Sequence, residues 1–184
     1  MTGCDIDKVS SEKPHFQVID NPSEQGNHLM VNRNASPTSH AESRHIHRRK
    51  AGPRLPPIRV LVVDDFVPFR QFISSTLRTR HELQIIGEVS DGLEAVRKAE
   101  ELKPDLILLD IGLPTLDGIE AARRIRRMAP ECKIIFVSQE SSAEVVEDGL
   151  RLGALGYVIK AKAARDLLPA IEAAVLGKQF VSAM

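Results

Sequence analysis

The chain has 184 residues, 25 basic and 25 acidic side chains, and a formal net charge of zero, which is enough for one domain with some to spare. Apolar residues make up 42% of it, yet no apolar run approaches the ~18 residues of a membrane helix, and residues 1–32 lack the apolar segment of a signal peptide. Two distant cysteines, Cys4 and Cys132, argue against a disulfide framework and point to a reducing cytoplasm.

Residues 1–57 show neither the helical nor the strand period. They hold 8 basic and 6 acidic residues and five of the six histidines. Such a segment buries too little apolar surface to offset an ordering entropy of ~1–2 kcal/mol per residue, so a disordered polar tail is expected. Within it, Arg44-His45-Ile46-His47-Arg48-Arg49-Lys50 is a basic cluster. It reads first as a solvated linker and second as an anchor for nucleic acid, anionic lipid or an acidic partner. Met30 offers an internal start.

After Pro53, Pro56 and Pro57 the pattern changes. Ile58-Arg59-Val60-Leu61-Val62-Val63 is read as a buried strand, and it ends in Asp64-Asp65. Pro68 suits a first helical turn, and Phe69, Phe72, Ile73, Thr76 and Leu77 recur at helical spacing. Leu83–Val89 is a second strand, closed by Ser90-Asp91-Gly92; Leu93, Val96, Ala99 and Leu102 mark a second helix. Leu106–Leu109 is a third strand running into Asp110, followed by Gly112 and Leu113-Pro114. A helix with Ile119, Ala122, Ile125 and Met128 follows Asp117-Gly118. Ile134–Val137 is a fourth strand ending at Ser138, and its helix carries Val145, Val146, Leu150 and Leu152. Tyr157–Ile159 is a short fifth strand ending at Lys160. The last helix buries Leu167, Leu168, Ile171, Ala174 and Val175 and stops at Gly177. This rhythm predicts an α/β fold: a (βα)5, doubly wound, five-stranded parallel sheet over 58–178, with 179–184 as a short tail.

Right-handed crossovers bring the carboxyl ends of all the strands to one edge, where ligands bind in such sheets. Asp64, Asp65, Asp110, Ser138 and Lys160 therefore converge. Two carboxylates ~4 Å apart repel by about 4 kcal/mol at an effective dielectric of 20, so three of them require a cation. Hard oxygen ligands with an open side suit Mg²⁺. Lys160 would bind an anion, and the Ser138 hydroxyl would donate to it. Together these groups describe phosphoryl transfer through an aspartyl phosphate on Asp110.

The stretches Val60–Asp65, Leu109-Asp110 with Leu113-Pro114 and Asp117-Gly118, Val137-Ser138 and Gly153–Lys160 resemble the response-regulator receiver domain of bacterial two-component systems. The resemblance implies a flavodoxin-like sheet of order 2-1-3-4-5. It implies that Asp110 accepts a phosphoryl group from a sensor histidine kinase or phosphotransfer protein. Asp64, Asp65, Asp110 and the Gly112 backbone carbonyl would hold Mg²⁺, and Ser138 and Lys160 would bind the phosphoryl group. Tyr157, with Ser138, would be the switch that reshapes the face of helix four, strand five and helix five for a protein partner or a homodimer. Related aspartyl-phosphate hydrolases use a second acid two residues after the nucleophile. Gly112 stands there, so a signalling protein is expected rather than an enzyme, with only self-phosphorylation and slow self-dephosphorylation. Receivers worded this way usually carry a C-terminal LuxR-like helix-turn-helix, which does not follow here. The alternative is thus a DNA-binding transcriptional regulator whose effector domain is missing or replaced by the basic tail, with nucleic acid not expected to bind this chain alone.

Overall fold

The structure is a computed structural model and describes residues 55–183. The polar stretch up to residue 54, its basic cluster and Met30 lie outside the described residues.

The alternating pattern folds as expected. The strands are β1 (Ile58–Val63), β2 (Leu83–Val89), β3 (Leu106–Leu109), β4 (Lys133–Ser138) and β5 (Gly156–Ile159). The helices are α1 (Val67–Arg78), α2 (Gly92–Leu102), α3 (Gly118–Met128), α4 (Ala143–Arg151) and α5 (Ala163–Val175). The strands pair in parallel in the order 2-1-3-4-5. One further strand, β6 (Phe180–Val181), joins the free edge of β5, also in parallel. Gly177, at φ +70°, creates it by turning the chain back. The Lys178 amide donates to the Ala173 carbonyl and the Gly177 amide to that of Ala174, the paired bonds of a Schellman stop. Two residues carry no period, so this strand is not legible in the sequence.

Alternate residues of each strand feed two separate cores. Leu61, Val63, Ile107, Leu109, Ile134 and Phe136 pack with Ala95, Ala99, Ala121, Ala122, Ile125 and Val146 from α2, α3 and α4. Val60, Val62, Leu106, Leu108, Ile135 and Val137 pack with Phe69, Ile73 and Leu77 of α1 and Leu167 and Ile171 of α5. Both faces of the sheet are covered, which is why the inner strands read as apolar runs, while β2 at the edge is only partly buried and carries Gln84 and Glu88. The helix stripes hold except at their ends: Ala99, Ala122, Ile125, Leu167, Ile171 and Ala174 are buried, whereas Leu93, Met128 and Val175 are exposed. Alanines fill the α2–α3 contact instead, because small side chains let the two helices approach closely. Helix α4 is lightly held, with Val146 and Gly149 its fully buried residues.

Candidate phosphoryl and metal site

The acids stand where ladder hydrogen bonds still hold the backbone. The Asp64 amide donates to the Val89 carbonyl at 3.1 Å, and the Asp110 amide to the Val63 carbonyl at 2.9 Å. Each carboxylate thus starts from a rigid Cα. Asp64 is fully buried, Asp110 nearly so, and Asp65 is exposed. One carboxylate oxygen from each lies within 4.8 Å of the other two.

Lys160 closes the cluster. Its Nζ lies 2.7 Å from Asp64 Oδ2 and 2.7 Å from Asp110 Oδ2. The ammonium thus bridges the two buried carboxylates, and each contact favours its charged form. The ammonium also sits over the Phe69 ring, 4.9 Å from its centroid. Asp64 Oδ1 accepts from the Phe66 amide, and Asp110 Oδ1 from the Gly112 amide at 3.2 Å. Burial raises the pKa of Asp64 and the Lys160 charge opposes that rise. Burial pulls Lys160 down, but its two carboxylate partners leave it above its ordinary value.

Three carboxylates against one ammonium leave two negative charges, the complement of one divalent cation. The donors are all oxygen, they lie within 4.8 Å of one another, and Asp65 faces water. The residues therefore fit a small hard cation such as Mg²⁺.

Ser138 and Tyr157 form a second group on the adjoining strands. Ser138 is buried, and its Oγ accepts from the Glu140 amide at 3.1 Å. The Tyr157 phenol points inward, donates to the Glu140 carbonyl at 2.9 Å and is reached by the Ser138 hydroxyl. Ser138 and Tyr157 are thus joined through Glu140, whose amide Ser138 takes and whose carbonyl Tyr157 takes. Gly112 is exposed, and a Cβ there would meet nothing within 4 Å, so only its backbone serves the site.

The loop after Asp110 is pinned more tightly than its Gly/Pro content indicates. A Cβ on Gly118 would lie 2.0 Å from the Asp110 carbonyl oxygen, and one on Gly92 would lie 1.8 Å from that of Leu116. Thr115 sits at φ +63° and its hydroxyl, with the Glu94 and Leu93 amides that the Asp91 carboxylate accepts from, holds that acid below its ordinary pKa. Sequence reasoning missed this lock and the Glu140 carbonyl that takes the phenol. Positive φ at a β-branched residue and a backbone acceptor leave no mark in composition or period.

Comparison with known proteins agrees with this geometry. The response regulator receiver domain family matches residues 60–172. The response regulator protein VraR of Staphylococcus aureus is 38% identical over 114 residues, which is 62% of this chain and 54% of VraR. The chain thus spans about half the length of the curated relatives it matches. A LuxR-family two-component response regulator from Aurantimonas superposes with a TM-score of 0.65 at 30% identity, over 67% of this chain and 89% of that one. The isolated receiver domain of RcsB from Salmonella enterica, solved with the phosphomimetic BeF3⁻, gives a TM-score of 0.65 at 25% identity, over 68% and 94%. On the match over residues 60–172 and the parallel sheet that gathers its acids at one edge, the chain belongs to the response regulator receiver domain family.

Proposed function

We propose that the chain is a phosphorylation switch in a phosphorelay. Asp110 attacks the phosphorus of a phosphohistidine on a sensor kinase or phosphotransfer protein. The new O–P bond forms as the N–P bond breaks, and the imidazole keeps the bonding electron pair and takes a proton. Asp64, Asp65, Asp110 and the Gly112 carbonyl would hold Mg²⁺, which supplies charge neutralisation for the transferring phosphoryl oxygens. Lys160 moves its charge from the two carboxylates to the phosphoryl group, and the Ser138 hydroxyl turns to donate to it.

Phosphorylation adds about −1.5 to −2 charges beside these groups. As Ser138 leaves Glu140, Tyr157 loses a partner and can fill the vacated space. Helix α4, anchored by Val146 and Gly149, is the element most easily moved in response. The α4–β5–α5 face is accordingly the surface offered to a downstream protein or a second copy. Moving such an equilibrium from 1:99 to 99:1 takes ~5.5 kcal/mol of differential stabilisation. The protein acts in the cytoplasm and signals rather than turning over an external substrate; no helix among the described residues is long and apolar enough to cross a membrane.

The observation that carries this reading is the Lys160 ammonium held 2.7 Å from both Asp64 and Asp110 at an open sheet edge. The test is incubation with acetyl phosphate and Mg²⁺ followed by intact mass. One phosphoryl adduct is expected on the wild type and none on Asp110→Asn. A wild type that gains no mass, or an Asp110→Asn variant that gains as much, overturns the proposal.

A further inference from the structure

The residues after α5 return to the strand that carries Lys160, and they do so through buried polar contacts. Ser182 is 1% exposed, although Val181 beside it is 40% exposed. The Ser182 amide donates to the Tyr157 carbonyl at 2.9 Å. Its hydroxyl accepts from the Ile159 amide at 3.2 Å and donates to Asp166 Oδ2 at 2.6 Å. Asp166 is 5% exposed and is fixed in turn by the Arg165 guanidinium at 2.6 and 3.1 Å. The Lys162 ammonium donates to the Ala183 carbonyl. A buried carboxylate on a helix that packs against the sheet is costly unless each of its oxygens is met. An apolar residue in its place would pack without help from Ser182 or Arg165.

The chain of bonds ends one residue from the centre of the site. Ile159 is the last residue of β5, lies opposite Ser138 in the ladder and directly precedes Lys160. Tyr157, whose carbonyl takes the Ser182 amide, lies two residues earlier. Without Ser182 the Ile159 amide would face an open sheet edge, and the Val158–Ile159 peptide, the last one held in the strand before Lys160, could rotate and carry the Lys160 backbone with it. A small rotation there is amplified at Nζ by the length of the side chain.

We infer that Ser182, seated on Asp166, is a positioning residue for Lys160, and that the segment 180–183 is thereby a control on the phosphoryl site. This rests on the reading of Asp110 as phosphoacceptor. The control is reciprocal: a segment that holds Ile159 favours the phosphorylated state, and a phosphoryl group that fixes Lys160 tightens the segment by the same factor. Whatever grips or frees residues 180–183 then sets how readily Asp110 is charged.

The test uses the full chain as wild type, Ser182→Ala and Ser182→Thr, with Asp166→Asn as a second route. Two quantities are read: hydrogen exchange at the Ile159 amide with and without Mg²⁺ and beryllofluoride, and the rate of adduct formation from acetyl phosphate. Loss of one buried hydrogen bond predicts about a fivefold faster exchange and about a fivefold slower adduct rate in Ser182→Ala. Ser182→Thr, which keeps the hydroxyl, restores both, and Asp166→Asn shifts both in the direction of Ser182→Ala. Beryllofluoride slows Ile159 exchange in the wild type and fails to do so in Ser182→Ala. Wild-type exchange and rate in Ser182→Ala overturn the inference. So does an adduct loss that merely tracks the unfolded fraction measured in urea. A wild type that neither gains an adduct nor responds to beryllofluoride instead overturns the phosphoacceptor reading itself.

Discussion

Lys160 serves two buried acids at once, and that arrangement is visible in how the protein should respond to base. Its ammonium is held above its ordinary value of 10.5 because Asp110 and Asp64 outweigh the cost of burial. The Tyr157 phenol is raised above 10.0 by burial, with the Ser138 hydroxyl working against the rise, and burial pushes the Cys132 thiol up to about 12 from 9.0. All three bind their protons more tightly in the folded chain than in the unfolded one. Their contribution is therefore complete below the unfolded values and is lost as pH rises through the folded ones. The urea midpoint should fall from about pH 9 upward, and most steeply above the unfolded lysine value. Lys160→Met isolates one share of that fall. At pH 7 it leaves two buried carboxylates facing each other without a cation, a loss of ~3 kcal/mol. Above pH 10.5 its decline should be shallower than that of the wild type, since the Lys160 share is gone and those of Cys132 and Tyr157 are kept. Urea midpoints for both proteins between pH 7 and 11 check this; parallel curves would show that Lys160 does not carry the effect.

The turn from β3 into α3 shows how far one element can be read from sequence. Asp117 was legible as the start of a helix, and its carboxylate accepts from the Glu120 amide at 2.9 Å as a helix cap. The two glycines of this turn look alike on paper but differ in space. Gly118→Ala would drive a Cβ to 2.0 Å from the carbonyl oxygen of the phosphoacceptor residue, against backbone that cannot step aside. It should cost ~3 kcal/mol and slow adduct formation on Asp110. Gly112→Ala meets open space and should stay within ~0.5 kcal/mol of wild type. Urea melts of the two variants settle the contrast, and equal losses would refute it. The strands β1 and β3 were readable because burial on both faces leaves the apolar runs Val60–Val63 and Leu106–Leu109, and β2, a half-buried edge strand, was readable from its bounding turn residues. The helix faces were readable except at their ends: Ala99, Ala122 and Ile125 are buried as read, while Leu93 and Met128 are exposed and the small Ala95 and Ala121, which carry little hydrophobic signal, are buried. Strand β6 and Ser182 were not readable at all, because two residues hold no period and a serine near a glycine turn is compositionally ordinary. Among the site residues, Asp64, Asp65, Asp110 and Lys160 were legible through topology, since each ends a recognisable strand. The engagement of Ser138 with Tyr157 and Glu140 depends on side-chain direction, which topology does not specify.

At the scale of the whole molecule, right-handed crossovers bring residues that lie up to 96 positions apart (Asp64 to Lys160) to one edge of the sheet. The fold thereby gathers an uncompensated charge of −2. That concentration of like charge weakens the folded state and is relieved by a cation that binds only when the strands are assembled. The unfolded chain separates the same acids and offers no comparable site. Mg²⁺ should therefore stabilise the protein by mass action, by ~2.7 kcal/mol when its free concentration is 100 times Kd. Asp65→Ala is the informative variant. Its side chain is exposed, so the protein should fold without it, yet it removes one of the three carboxylates that lie within 4.8 Å of one another. Two opposed effects follow. Without metal, Asp65→Ala should equal or exceed wild type in urea midpoint, because repulsion in the cluster falls. With Mg²⁺, wild type should gain several times more than the variant. Sodium chloride at matched ionic strength separates this from general screening, which acts over a Debye length of about 10 Å at 0.1 M and would raise both proteins alike. If Mg²⁺ raises the two midpoints equally once screening is subtracted, the three acids are not a metal site.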